Sequence, residues 1–165
     1  MSNNLVFEFN VNRETKSIHV RREFAAALEK VWNAWTDSKI LDLWWAPKPF
    51  QTKTKSQDFS VGGSWFYAME GPDNFAHYCR ADYKSIEPLK SYSGLDAFCD
   101  ADGNINEGFP RSLWNVTFTA NGDSSTIVDI VTSYEKLEDL EKIIEMGFKE
   151  GFTMALGNLD ELLVS

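Results

Sequence analysis

Apolar and polar residues alternate over residues 5–11, so that Leu5, Phe7, Phe9 and Val11 share one face of an extended segment. Residues 12–15 have turn composition and 16–24 are again extended, which together predict a hairpin. The period then changes. Leu28, Val31, Trp32 and Trp35 fall at i, i+3, i+4 and i+7 and lie on one face of a helix. Asp37 or Ser38 is placed to cap a second short helix over 39–45, and Pro47 and Pro49 stop it.

From 51 onward the period is two. Segments 51–59, 64–69, 75–86, 91–99, 113–120 and 124–134 read as strands, separated by turns at Gly62-Gly63, 71–74 and Asn121-Gly122 and by a polar loop over 100–110. Trp65, Tyr67 and Met69 share a face, as do Trp114, Val116 and Phe118. The end is helical: Leu137, Leu140, Ile143 and Ile144 form one stripe that ends at Gly147, and Phe148, Phe152, Leu156, Leu159 and Leu163 form another over about 148–163. No repeat, low-complexity tract or linker interrupts the chain, so residues 1–165 are expected to form one domain.

A meander with one hydrophobic face needs a cover, and the terminal helix is the only element long enough to supply it. The expectation is an α+β fold: a curved antiparallel sheet of about six to seven strands wrapped around the C-terminal helix, with two short helices after an early strand. Such a sheet and helix stand apart, and aromatic side chains from the sheet line the space between them.

Composition narrows the partners. The 165 residues carry a formal net charge of -9, which disfavours nucleic acid and anionic membrane alike. The basic stretch from Lys48 to Lys55 is short and reads as a solvated strand face. No segment resembles a signal peptide or reaches transmembrane length, so a cytoplasmic location without membrane insertion is expected. Cys79 and Cys99 are then expected as thiols. If the hairpin between them turns near Leu89, the two are close to opposite each other and become cross-strand neighbours.

Several stretches together resemble one family. Val31-Trp32, Thr36-Asp37 and Leu41 to Trp44-Trp45 are similar to its opening helices. Asp58 with Gly62-Gly63-Ser64-Trp65 is similar to its second signature, and Tyr67-Ala68-Met69, Gly71-Pro72 and Arg80-Ala81-Asp82-Tyr83 to a narrower subgroup. Glu145-Met146-Gly147-Phe148, Glu150-Gly151-Phe152 and Leu159 to Leu163 resemble its terminal helix. This is the bacterial activator-of-Hsp90-ATPase-homologue-like branch of the START/SRPBCC (helix-grip) superfamily. The chain departs from it at Ala27, where a helix-opening proline is usual, and at Phe152, where tryptophan is common. The resemblance implies a cavity between sheet and terminal helix. It does not imply one activity, because the superfamily contains lipid carriers, hormone receptors, polyketide cyclases and co-chaperone domains.

Candidate chemistry is sparse. His19, His77 and the two cysteines lack zinc-ligand spacing. Asp100, Asp102, Asn104 and Asn106 imitate a calcium loop, but Ile105 and Arg111 occupy the positions of its glycine and glutamate. Gly62-Gly63 precedes a strand rather than a helix and cradles no phosphate, and no serine sits in a nucleophile elbow. No metal and no cofactor is expected.

His77, Tyr78 and Arg80 form the best polar cluster. Alternation sets Tyr78 and Arg80 on one face and His77 with Cys79 on the other. An inward Arg80 suits a carboxylate or enolate oxygen; an outward one pairs with Asp82 or Asp96. The cavity lining is assigned to Trp45, Trp65, Tyr67, Tyr78, Arg80, Phe98, Trp114, Phe148 and Phe152, with a bulge able to invert the facing of any strand. Three function classes follow. The favoured one is a binding module for a hydrophobic or amphipathic small molecule. The others are a cyclase- or hydratase-type enzyme using His77 or Arg80, marked by a polar cavity residue of shifted pKa, and a chaperone-activator-like partner-binding domain, marked by an exposed convex patch near Phe66. A protein partner or a homodimer is compatible with each.

Overall fold

The computed structural model describes residues 5–164. Eight strands form one antiparallel sheet: β1 (Phe7–Asn12), β2 (Ser17–Phe24), β3 (Gln51–Gln57), β4 (Ser64–Glu70), β5 (Ala76–Glu87), β6 (Ser91–Cys99), β7 (Leu113–Ala120) and β8 (Thr126–Ser133). Their order is β1-β2-β8-β7-β6-β5-β4-β3. Every neighbour is a sequence neighbour except β2 and β8. That pairing exists because α1 (Leu28–Thr36) and α2 (Ser38–Leu41) carry the chain from one end of the sheet to the other. The sheet has more than the six to seven strands expected, since the short edge strands β1 and β3 both join it.

Local signals set the ends of the helices. Asp37 caps α2 by accepting from the Lys39 N–H, at 2.9 Å. The predicted second helix is shorter than 39–45: it stops at Leu41 and continues as turns that bring Trp44 and Trp45 inward. Helix α3 (Leu137–Glu145) and helix α4 (Phe148–Leu163) meet at Gly147, whose φ of 90° only glycine adopts at little cost. The Gly62-Gly63 turn requires glycine for space as well. A Cβ on Gly63 would sit 2.3 Å from the Asp58 carbonyl oxygen.

Helix α4 fills the curve of the sheet with Phe152, Ala155, Leu156, Leu159 and Leu163. At one end the packing is dense. Trp35 meets Phe24, Trp44 and Phe118 edge-on, with ring centroids 6.5, 5.0 and 6.2 Å away. Arg22 of β2 pairs with Asp160 of α4, and Asn158 donates from Nδ2 to the carbonyls of Trp44 and Ala46 at 3.4 and 3.1 Å. These bonds hold the helix, the sheet and the turn after α2 in fixed relation. Toward the N-terminus of α4 the sheet diverges from the helix, and the core becomes hollow.

Candidate functional site

The hollow is a cavity of about 310 Å³ between β4–β7, the turn after α2 and the start of α4. Its inner wall follows strand alternation. Trp65, Tyr67 and Met69 come from β4; His77, Cys79, Ala81 and Tyr83 from β5; Tyr92, Gly94, Asp96 and Phe98 from β6. Trp114 of β7, Trp45, Phe148 and Phe152 close the other side. Met146 also lines it while 48% exposed, so this side communicates with solvent.

The rings form a connected wall. Trp65 stacks on Tyr67 at 3.9 Å, because residues two apart on a strand share a face. Trp45 stands 5.5 Å from Trp65 and 5.6 Å from Trp114, and Trp114 stands 5.5 Å from Phe152. Hydrogen bonds fix the rings. The Trp45 Nε1–H donates to Tyr67 Oη at 3.0 Å, and the Trp65 Nε1–H to Thr54 Oγ1 at 3.0 Å. Thr54 Oγ1–H in turn donates to Asp42 at 2.6 Å.

Seven of the nine side chains assigned to the cavity from sequence line it: Trp45, Trp65, Tyr67, Phe98, Trp114, Phe148 and Phe152. Tyr78 and Arg80 do not. Both lie on the outer face of β5, opposite Cys99 and Ala97 of β6. There Arg80 donates to Asp82 at 2.7 Å and to the Gly103 carbonyl at 3.0 Å. The physical reason is the two-residue period of the strand: with Cys79 inward, its neighbours on either side point out. Burial pushes the Asp82 carboxyl up, but hydrogen bonds from Arg80 and Arg111 outweigh it and hold it below the usual carboxylate value.

The cysteines are not cross-strand neighbours either. Cys79 pairs with Phe98, and Cys99 pairs with Tyr78. The register shift between Tyr83 and Ser85 slips the pairing, which leaves one thiol inside and the other outside. Phe66, expected on the convex side, is there but half-buried beside Tyr78 at 6.2 Å, so it makes no exposed patch. The loop after β6 spends its acidic group on itself. Asp100 Oδ1 accepts from the N–H groups of Asp102 and Asn104 at 2.9 Å each.

Sequence reasoning offered Asp96 as an outer-face partner for Arg80; Arg80 pairs with Asp82 instead, and Asp96 is the one carboxylate lining the cavity among the described residues. It accepts the Ser112 N–H at 2.7 Å and the Trp114 Nε1–H at 2.8 Å. Burial pushes its pKa up to about 6, against the hydrogen bonds from Ser112 and Trp114 and the charge of Arg111, which pull it down. The signal for it was present: counting back by two from Phe98 puts Asp96 on the inner face. Around it the other groups stay neutral. Burial raises the Cys79 thiol to about 12, and burial also raises the Tyr67 and Tyr134 phenols. His77 is exposed at the rim, with its ring 4.6 Å from that of Phe75. A neutral thiol and a carboxyl without a base beside it supply no nucleophile–base pair.

An eight-stranded antiparallel sheet gripping a long C-terminal helix over an aromatic cavity defines a helix-grip protein of the START/SRPBCC type. Residues 25–164 match the family described as "Activator of Hsp90 ATPase homolog 1-like protein", and the chain belongs to that family. The chain is similar to protein Ms6760 from Mycobacterium smegmatis, at 28% identity over 96% of each chain and a TM-score of 0.87. It is also similar to a protein from Arthrobacter aurescens, at 27% identity over 95% of this chain and 91% of that one, with a TM-score of 0.90. CalU16 from Micromonospora echinospora shares the fold, at 20% identity over 99% and 87% of the two chains and a TM-score of 0.62. No curated protein matches the sequence.

Proposed function

We propose that this protein is a binding module that holds a hydrophobic or amphipathic small molecule between the sheet and α4. The observation that carries this reading is the cavity itself: about 310 Å³ walled by aromatic rings between the sheet and α4. The rings are braced by hydrogen bonds, Trp45 to Tyr67 within the wall and Trp65 to Thr54 outside it, as a preformed site requires. The free thiols of Cys79 and Cys99 fit action in the cytoplasm.

A second reading, acid–base catalysis of the cyclase or hydratase type, has one observation in its favour: Asp96 is a cavity group with a pKa of about 6. It gains nothing from Arg80, which is outside, and His77 stands only at the rim. The test is extraction of the purified protein under denaturing conditions, with mass spectrometry for co-purified molecules. A stoichiometric apolar or amphipathic compound is expected. An empty protein whose melting temperature also ignores a panel of hydrophobic compounds overturns the binding module.

A further inference from the structure

Asp96 brings a formal negative charge into the cavity, and among the described residues no lysine or arginine lines that cavity to balance it. The nearest guanidinium, Arg111, donates to Asp82 at 2.8 Å and to the Asp96 carbonyl at 3.0 Å; its charge offsets part of the desolvation of the Asp96 carboxylate, but it makes no hydrogen bond to that group and does not enter the cavity. The Asp96 side chain is left with neutral donors only, the Ser112 and Trp114 N–H groups. A carboxylate desolvated without a cation is costly, and its cost is recovered when a cation arrives. The surrounding rings act in the same sense. The faces of Trp45, Trp65 and Trp114 carry negative quadrupole potential, which attracts cations and repels anions.

We propose that the cavity selects an organic cation, an amine or quaternary ammonium group on an apolar body, with Asp96 as its counter-ion and Trp45, Trp65 and Trp114 as its ring wall. This rests on the cavity being a ligand site. An acidic amphipath such as a fatty acid is disfavoured by the same charge.

The test uses benzyltrimethylammonium and its neutral carbon isostere neopentylbenzene, which share shape and differ in charge. Binding is followed by the indole N–H resonances at pH 8. The cation is expected to bind about tenfold or more tightly than the isostere, a preference that Asp96→Asn largely removes. Because that variant also alters a hydrogen bond, the wild type is titrated as well. Lowering the pH from 8 to 5 is expected to weaken cation binding by about tenfold as Asp96 gains its proton, and to leave neopentylbenzene unaffected. Of the groups facing Asp96, burial raises the Cys79 thiol and the Tyr67 and Tyr134 phenols, so these stay neutral over that range, and Arg111 is the charged group nearest it. The pH series is repeated in His77→Gln, which separates the imidazole at the rim from Asp96. Isostere binding equal to or tighter than the cation's, or cation binding indifferent to pH and to Asp96→Asn, overturns the inference and leaves the binding module standing. Failure of both probes, in a protein that also carries no extractable ligand, overturns both.

Discussion

The buried carboxyl of Asp96 makes stability depend on pH with a definite sign. Its pKa lies at about 6 in the folded protein against an ordinary 3.8. At 1.36 kcal/mol per pH unit, the difference corresponds to about 3 kcal/mol. Because the folded pKa is the higher one, the folded state binds this proton more tightly. The stabilisation is complete below the unfolded value and is lost as pH rises through 6. Between pH 4.5 and 8, about 2 kcal/mol of it disappears. Other groups titrate over the same interval, so the quantity to measure is the difference between wild type and Asp96→Asn. The variant lacks the titration and carries a pH-independent penalty of about 1–3 kcal/mol, because Ser112 and Trp114 donate to different carboxylate oxygens and the amide replaces one of these with a donor NH2. Urea denaturation, read by tryptophan fluorescence at several pH values, gives both curves. Wild-type stability should fall relative to the variant by about 2 kcal/mol from pH 4.5 to 8. A difference constant to within about 0.5 kcal/mol would refute the assignment of Asp96 as a desolvated carboxyl.

Further outcomes follow from other residues. Ala27 precedes α1 with φ of -64°, the angle proline imposes, and is exposed. Ala27→Pro should therefore stabilise by about 0.4–1 kcal/mol through the unfolded chain, seen as a raised urea midpoint with unchanged slope. Gly147→Ala forces a Cβ into the left-handed region at the α3–α4 junction and should cost about 1–2 kcal/mol, lowering Tm in calorimetry by several degrees. Arg80→Ala removes a half-exposed outer-face ion pair. It should cost under about 1 kcal/mol and leave ligand affinity in the cavity unchanged, checked by denaturation and by calorimetric titration.

Much of this protein was legible from one-dimensional pattern. Period two and period 3.6 located the strands and helices, and Gly147 and Asp37 marked where helices turn, because these signals act between residues close in the chain. Alternation also placed most of the aromatic wall, since Trp65, Tyr67 and Trp114 inherit their facing from the strand that carries them. Asp96 obeyed the same rule but was read as an outer-face partner of Arg80, because a carboxylate is ordinarily assigned to solvent. What only the tertiary structure decided is register and charge environment. The shift near Ser85 separated Cys79 from Cys99, and one residue of phase put Arg80 outside with Asp82. The balance that leaves the Asp96 carboxylate without a hydrogen-bonded cation depends on where Arg111, on the segment leading into β7, directs its guanidinium. Sequence period determines which side chains share a face. Which faces meet, and whether a buried charge finds its partner, is settled by contacts between distant segments, whose energies no local pattern carries.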